Sequence, residues 1–382
     1  MRIALHTPLK PLDSPVASGD LTMARLIARA LAALGHEVSQ PTRLVSWRPA
    51  PDAATDAALE AEGRREAERI AAAGGLDAFL TYHTYHKAPD LVGPAVAARL
   101  AVPYAIIEPS RAVRRAAGPW AARFASADRA LLAADMLAPV HAGDEAGLAP
   151  LVPPERLMRF RPFLDAAPFM AHPVPQRDAG PVRLLAVGMM RPGDKLASYR
   201  VLAAALARLC AAADWQLTIA GDGPERGSVA ALFDPARTRF TGAVASADLP
   251  ALCAAADLLV WPAINEAYGM ALLEAEAAGL PVVAGRRDGV EAIVAEGETA
   301  LLAPEGDADG FAAALGALLA DPARRRAMGR AARRHVAAHH DFGAGQRQLA
   351  TLLARAAASR RRRNAADPAA PSPDGHQPRI RP

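Results

Sequence analysis

Two glutamates, Glu266 and Glu274, flank the point where a buried strand gives way to a helix in DLLVWPAINEAYGMALLEAEAAGLPVVAG at 257–285. The apolar run ends at Pro262, a polar loop follows, and a helix starts near Gly269 or Met270. It stops at Gly279, a favoured residue just past a helix end. Side chains eight apart on one unbroken helix point about 80° apart. With Glu266 in the loop and Glu274 about one turn inside the helix, both acids can face one ligand. The backbone N–H groups of Tyr268, Gly269 and Met270 gather at the helix N-terminus, a ready site for a diphosphate. The plain alternative is a solvated acidic helix start, since Glu is favoured in a first turn.

A second group of reactive side chains lies in the first half. LTYHTYHKAPD at 80–90 follows a strand and carries His83, His86 and Lys87. PVASGDLTMA at 15–24 leads into a helix, and Gly19 permits close backbone approach at its start. A tight turn with Asp20 as helix cap is the competing reading. Only three of the 44 basic residues are lysine: Lys10, Lys87 and Lys195. All three fall in loops at the carboxyl edge of a predicted strand. Lysine is a compact point charge that arginine replaces poorly, so Lys10 and Lys87 are candidates for contact with an acceptor or a phosphate. The stretch 108–124 adds Arg111, Arg114 and Arg115 close to Trp120 and Phe124. It reads as a solvated basic face, or as a surface for an anionic acceptor or a membrane.

These side chains need rigid elements behind them. A chain of 382 residues is too long for one ordinary core and fits two domains. Predicted strands in the first half are Arg2–Thr7, Glu37–Pro41, Ala78–His83, Pro103–Glu108 and Met136–Val140, with a short further run at Leu157–Phe160. In the second half they are Val182–Gly188, Gln216–Gly221, Arg239–Gly242, Leu258–Pro262, Pro281–Gly285 and Ala300–Ala303. Ala-rich helical stretches separate them, which indicates an α/β fold of two Rossmann-like, doubly wound parallel-sheet domains. Ligands of two such domains in tandem are expected in a cleft between the carboxyl edges of the sheets. Residues 1–163 read as the first domain, 164–181 as a Pro-rich linker, 182–358 as the second domain and 359–382 as a disordered basic tail.

The tail holds six arginines against two aspartates, which accounts for the formal charge of +4 and leaves the remainder near neutral. Basicity in a tail rather than a groove argues against a nucleic-acid-binding enzyme. No apolar run reaches the length of a spanning helix, and MRIALHTPLKP has no apolar signal region, so a cytoplasmic location is expected. Cys210 and Cys253 sit in Ala-rich helical patterns and read as buried thiols in a reducing compartment. The arginine tail at Arg360–Arg363 is a candidate for attraction to anionic lipid at the inner face of the membrane.

NEAYGMALLEA at 265–275 resembles the Glu-x7-Glu motif of family 4 glycosyltransferases, which have the GT-B fold. The likeness extends over 182–340. VRLLAVG at 182–188 followed by MMRPGDK resembles the family's strand and its Arg/Lys pair, IAGDGP at 219–224 its glycine loop with Gly221 and Gly223, and FTGAV at 240–244 its segment beside the base. Gly289 and Glu291 fit the loop after the next strand, and GHEV at 35–38 resembles a first-domain signature. The resemblance implies that Glu266 contacts the donor sugar's hydroxyls, Glu274 the ribose, and Lys195 the diphosphate. The family's arginine position is Met189 here, and Arg191 is the candidate replacement. A histidine near the anomeric carbon is implied as well, with His83 the first choice and His86 the second.

The resemblance implies a retaining, hexosyl-type glycosyltransferase that takes a UDP- or GDP-sugar and passes the sugar to a glycan, lipid or small-molecule hydroxyl. No cofactor and no metal are expected, since no carboxylate pair is well placed and Asp307 and Asp309 look like helix caps. The rivals are a nucleotide-sugar epimerase on the same fold and a non-catalytic sugar-nucleotide-binding paralogue. A dinucleotide fingerprint in GDGPERG is rejected, because its spacing is wrong and the next strand does not end in an acid.

Overall fold

The computed structural model describes residues 1–16, 18–174, 180–210 and 213–366. The chain divides into two compact units, one of Met1–Phe160 with the residues from Gln346 onward, the other Arg161–Gly345.

The first unit holds strands β1 (Arg2–His6), β2 (Glu37–Ser39), β3 (Ala78–Thr84), β4 (Tyr104–Pro109) and β5 (Met136–Ala138). They form one parallel sheet in the order β2-β1-β3-β4-β5. Every residue of β4 is buried, as expected of a strand covered by helices on both faces. Leu157–Phe160, expected as a further short strand, contributes only a parallel bridge from Leu157 to Leu137.

Asp90 ties this sheet to the next helix. Its side chain, in a residue only 2% exposed, accepts from Thr81 Oγ1 at 2.5 Å and Tyr104 Oη at 2.6 Å. It also accepts from the amides of Val92 and Gly93, both at 2.8 Å, and so caps the helix Gly93–Leu100. His6 Nε2 lies 3.7 Å away on β1. One acid therefore collects donors from two strands and a helix start.

The second unit holds β6 (Val182–Val187), β7 (Trp215–Ala220), β8 (Thr238–Gly242), β9 (Leu258–Trp261), β10 (Val282–Gly285) and β11 (Ala300–Ala303). Their parallel order is β11-β10-β9-β6-β7-β8. All eleven expected core strands are present, each within two residues of its expected ends. Asp307 caps the helix Ala308–Ala320 by accepting from the amides of Asp309 and Gly310, while Asp309 pairs with Arg208.

Three expectations need correction. The boundary between the units falls at Phe160/Arg161, and the interval expected as linker contains a short helix, Ala167–Met170; Pro175–Ala179 lie outside the described residues. The final helix, Phe342–Ala366, runs through the start of the expected basic tail. Arg360 donates to Ala97 O at 3.0 Å, and Arg363 to Ala133 O at 2.8 Å and to Asp135 Oδ1 at 3.0 Å. These two arginines dock on the first unit because they meet carbonyls at helix ends and a buried acid; residues 367–382 lie outside the described residues. Lastly, Cys253 is buried but Cys210 is exposed, because the helix Asp194–Leu206 ends before it. Among the described residues no helix is long and apolar enough to cross a membrane.

Two buried acids carry opposite predictions. Asp90→Ala leaves Thr81, Tyr104 and the amides of Val92 and Gly93 without their acceptor, and a stability loss of about 3 kcal/mol is expected from denaturant unfolding. Glu276, on the helix Met270–Ala278, is fully buried with neither carboxylate oxygen hydrogen bonded. Burial pushes its pKa up to about 8. Because the unfolded acid titrates near its ordinary value of 4.5, stability declines as pH rises from about 4.5 to 8. Glu276→Met is therefore expected to raise the melting temperature, and by more at pH 9 than at pH 5. A lower melting temperature at pH 9 would contradict this.

Candidate functional site

Open parallel sheets bind ligands at the carboxyl ends of their strands where the strand order reverses. In the second sheet that point lies between β6 and β9, with Lys195 in the first turn of the helix that follows β6 (Asp194–Leu206) and Glu266 in the loop after β9. Lys195 Nζ donates to Glu266 Oε2 at 2.5 Å. Trp261 Nε1, at the end of β9, donates to the same oxygen at 3.1 Å. The Lys195 ammonium also lies 5.3 Å from the centre of the Trp261 ring. Both side chains of the ion pair are partly exposed, 27% for Lys195 and 16% for Glu266, so the pair is open to a ligand.

The loop that presents Glu266 is strained and tightly held. Ala263 and Asn265 both have left-handed backbone, with φ of 55° and 49°, a conformation costing roughly 1–3 kcal/mol per residue outside glycine. Fixed partners offset that cost. Ser198 Oγ accepts from Ile264 N at 3.0 Å, and Glu305 accepts from Asn265 N at 2.7 Å. The Asn265 amide donates to Asp194 at 2.9 Å and accepts from Arg287 at 3.2 Å. Asp194 sits next to Lys195, so one network fixes both halves of the ion pair.

The helix Met270–Ala278 then begins at Gly269, which is left-handed (φ 78°) and makes no side-chain cap bond. The first N–H groups of a helix have no partner within it, so the amide edge at 269–270 remains available to an anion. Tyr268 is buried beneath it. Glu274 lies one turn in, half-buried and without a hydrogen-bond partner among the described residues. Burial pushes its pKa up to about 7. Arg191 is exposed, with no side-chain partner among the described residues.

Gly221 and Gly223 serve a close approach between loops. A Cβ at Gly221 would lie 1.9 Å from Gly188 O, and one at Gly223 2.3 Å from Met190 O. The loop after β7 is thus seated backbone to backbone on the loop after β6. Gly289 does the same for the Glu266 loop, since a Cβ there would lie 1.3 Å from Ala267 O.

In the first sheet the order reverses between β1 and β3: Lys10 lies in the loop after β1, Gly19 opens the helix that follows, His83 is near the end of β3, and His86 and Lys87 lie in the turn after it. His83 has left-handed backbone (φ 59°), and so does Glu108 at the end of β4 (φ 56°). His83 Nδ1 lies 3.0 Å from Asp20 Oδ1 and 3.7 Å from Glu108 Oε1, and its ring stacks on Tyr85 at 5.2 Å. Burial opposes charge on His83, but Glu108 and Asp20 outweigh it and push its pKa up to about 9. Burial likewise pushes Glu108 up to about 7 against the pull of His83, while Tyr82 Oη donates to its other oxygen at 2.8 Å. The ligand atoms of Asp20, His83 and Glu108 lie within 4.8 Å of one another and form a set that could hold a metal ion, which the sequence did not suggest.

Ser18, not Asp20, is the N-cap of the helix Gly19–Ala33, because the Asp20 carboxylate is turned to His83. Gly19 is its first residue, and Lys10 Nζ donates to Ser18 Oγ at 3.2 Å. His86 is separate from His83 and packs edge-on against Trp120 at 5.0 Å. The structure adds Trp261, Ser198, Asp194, Asn265 and Glu108 to the residues singled out in the sequence, and moves Asp20 from the helix cap to His83. Two of these had a visible signal, Asn265 beside Glu266 and Glu108 as a lone acid closing an apolar run. Ser198 and Asp194 had none, since only the folded loops bring them to Asn265.

Known proteins match parts of this chain in sequence and most of it in fold. The family described as Glycosyl transferases group 1 matches residues 181–321. D-inositol 3-phosphate glycosyltransferase of Corynebacterium urealyticum is 44% identical over 90 residues, which is 24% of this chain and 21% of that one. Across eight such curated relatives the matched stretch spans between 21% and 31% of their length. Sucrose-phosphate synthase from Thermosynechococcus elongatus superposes with a TM-score of 0.71 at 22% identity, covering 96% of this chain and 100% of that one. An Anabaena protein, HepE, solved in complex with UDP, superposes with a TM-score of 0.69 at 15% identity, covering 93% and 100%. The second unit therefore carries a glycosyl transferases group 1 segment at 181–321, and the chain shares the GT-B fold of these solved structures.

Proposed function

We propose that the chain is a retaining, hexosyl-type glycosyltransferase, independent of metal, that moves a sugar from UDP or GDP to an acceptor hydroxyl in the cytoplasm. The observation that carries this reading is the Lys195–Glu266–Trp261 constellation at the reversal point of the second sheet, beside an uncapped helix start. Transfer breaks the bond between the anomeric carbon and the diphosphate oxygen and makes one to the acceptor oxygen, whose proton leaves with the departing diphosphate. Negative charge therefore grows on the departing diphosphate. Lys195, Arg191 and the amides of Tyr268, Gly269 and Met270 are the groups suited to hold it.

Glu266 receives Lys195 and Trp261 on Oε2, which leaves Oε1 for the sugar's hydroxyls. Glu274 is assigned the ribose hydroxyls, and Gly221 and Gly223 keep the neighbouring loop low beneath the nucleotide. His83 is charged at neutral pH, so it donates and does not accept a proton. Its contribution to catalysis is electrostatic rather than that of a general base. Gly19 is assigned to the donor phosphate, and Lys10, His86 and Lys87 to the acceptor or its phosphate.

A thermal-shift panel of UDP- and GDP-sugars is expected to give one strong hit. For that ligand, Glu274→Ala is expected to weaken binding about a hundredfold, the worth of two hydrogen bonds to a charged group. Unchanged affinity and turnover in this variant would overturn the reading. Affinity should also depend on pH. Hydroxyl donors favour the ionised acid, whose free pKa is about 7, so calorimetry is expected to show Kd falling by up to about tenfold between pH 6 and 8, mostly below pH 7. Turnover in excess EDTA is expected to persist. Complete loss restored by Mn²⁺ would overturn metal independence and direct attention to Asp20, His83 and Glu108.

A further inference from the structure

The loop after β3 and the short helical turn Val113–Arg115 bring together an unusual concentration of unpaired positive charge. Of the three arginines in this stretch, Arg111 is fully engaged. It makes two hydrogen bonds to Asp128, at 2.9 and 2.8 Å, and lies 5.2 Å over the Phe124 ring. Arg114 is exposed and Arg115 half-buried, and neither has a carboxylate partner among the described residues. Lys87 has none either, and its ammonium lies 5.8 Å from the centre of the Trp120 ring. All three lie near enough to His86 to act on its charge.

His86 is the second observation. It is 9% exposed, and both ring nitrogens are buried without a hydrogen-bond partner. Arg115 Nε is buried and unpartnered as well. Burial and the neighbouring Arg115, Lys87, Arg114 and Arg123 press the His86 pKa down to about 4, so the ring is neutral and keeps one N–H to donate. Buried donors are nearly always satisfied, and an unsatisfied one costs about 1–3 kcal/mol.

The backbone beneath the site is braced. Arg123, 3% exposed, donates to His86 O at 3.1 Å and to Lys87 O at 2.7 Å, and pairs with Asp56. Its charge is therefore spent on holding the loop, not on a ligand. Three free cations and two idle donors remain on a fixed frame.

We propose that Lys87, Arg114, Arg115 and His86 bind a phosphate group carried by the sugar acceptor. A phosphate monoester brings up to two negative charges and three acceptor oxygens, enough to engage all four side chains at once. This assignment rests on the glycosyl-transfer reading and names the acceptor's chemistry within it.

The test uses the full chain and two independent readouts. In calorimetric titrations, inorganic phosphate and glucose 6-phosphate are expected to bind and glucose is not. Lys87→Gln and Arg115→Gln should each weaken that binding at least tenfold, with Arg99→Gln, a surface arginine paired with Glu68, as the unaffected control. Arg114→Gln, at an exposed position, repeats the test where the core cannot be disturbed. In transfer assays with the nucleotide sugar that gives the thermal-shift hit, phosphorylated acceptors should exceed their neutral counterparts in kcat/KM at least a hundredfold. Arg115→Gln should erase that preference through KM. Equal use of neutral acceptors, or wild-type phosphate affinity in the Lys87 and Arg115 variants, would overturn the proposal and leave glycosyl transfer standing. Absence of nucleotide-sugar binding would instead remove the parent reading, which phosphate titration does not measure. Sedimentation with phosphatidylglycerol vesicles separates the remaining source. Vesicle binding that needs Lys87 and Arg115, with no affinity for glucose 6-phosphate, would assign the patch to lipid and overturn the acceptor assignment.

Discussion

The second unit depends on carbonyl oxygens that occupy the space of missing side chains. Gly188 O fills the place of a Cβ at Gly221, and Ala267 O that of a Cβ at Gly289. These contacts lock the loops leaving adjacent strands into one layer along the carboxyl edge of the sheet. Hydrogen bonds across that layer run in the same direction. Gly188 N donates to Ala220 O at 3.0 Å, Met190 N to Asp222 O at 2.9 Å and Glu225 N to Met190 O at 3.0 Å. A side chain at either glycine would lift one loop off the other. Glu266 and Lys195 would then lose the common frame that keeps them 2.5 Å apart.

That frame explains why the strain at Ala263 and Asn265 is tolerated. A left-handed non-glycine residue relaxes unless its surroundings over-determine it. Here Ser198, Glu305, Asp194 and Arg287 each hold a different atom of the loop. The first unit uses the same device with different chemistry. His83 and Glu108 end adjacent strands in left-handed backbone, and their charges hold each other in place. Both candidate sites are therefore places where local backbone preference loses to a polar network, as expected of sites that must be rigid before a ligand arrives.

Much of this was legible in the sequence because the periodicities were clean. Apolar runs bounded by Gly or Pro located most of the core strands, and Gly279 marked the helix end that the structure has there. The Glu266–Glu274 spacing and Lys195 were visible because loops at strand ends have few other roles for such residues. The pairing of Lys195 with Glu266 was not, since 71 residues separate them and only the strand order β9-β6 makes them neighbours. Asp20 read as a helix cap because its position fits one, and nothing local discloses that His83 competes for it. The final helix was misjudged for a related reason. SRRRRNAA looks like a solvated tail by composition, and its docking needs Ala97, Ala133 and Asp135, which lie more than 200 positions earlier.

The three lysines show why the chain departs from arginine where it does. Lys195 makes one short bond to Glu266 above an indole ring, an arrangement that a planar fork with five donors would overfill. A single ammonium on a flexible stem can pass from that carboxylate to a phosphate oxygen by rotation alone. Lys10 reaches across a turn to Ser18 Oγ and Val16 O at 3.2 and 3.1 Å, close to the start of a helix. Lys87 rests beside Trp120 with no anion in contact. The three thus span a range from paired to unpaired at the carboxyl edges of two sheets. For Lys195 and Lys87 the ammonium is held by a single ion pair or a ring contact rather than a fixed bidentate pair. That is the state in which a cation is ready to exchange its partner for an incoming one, and it is a property that a buried arginine such as Arg123, bound on three sides, does not have.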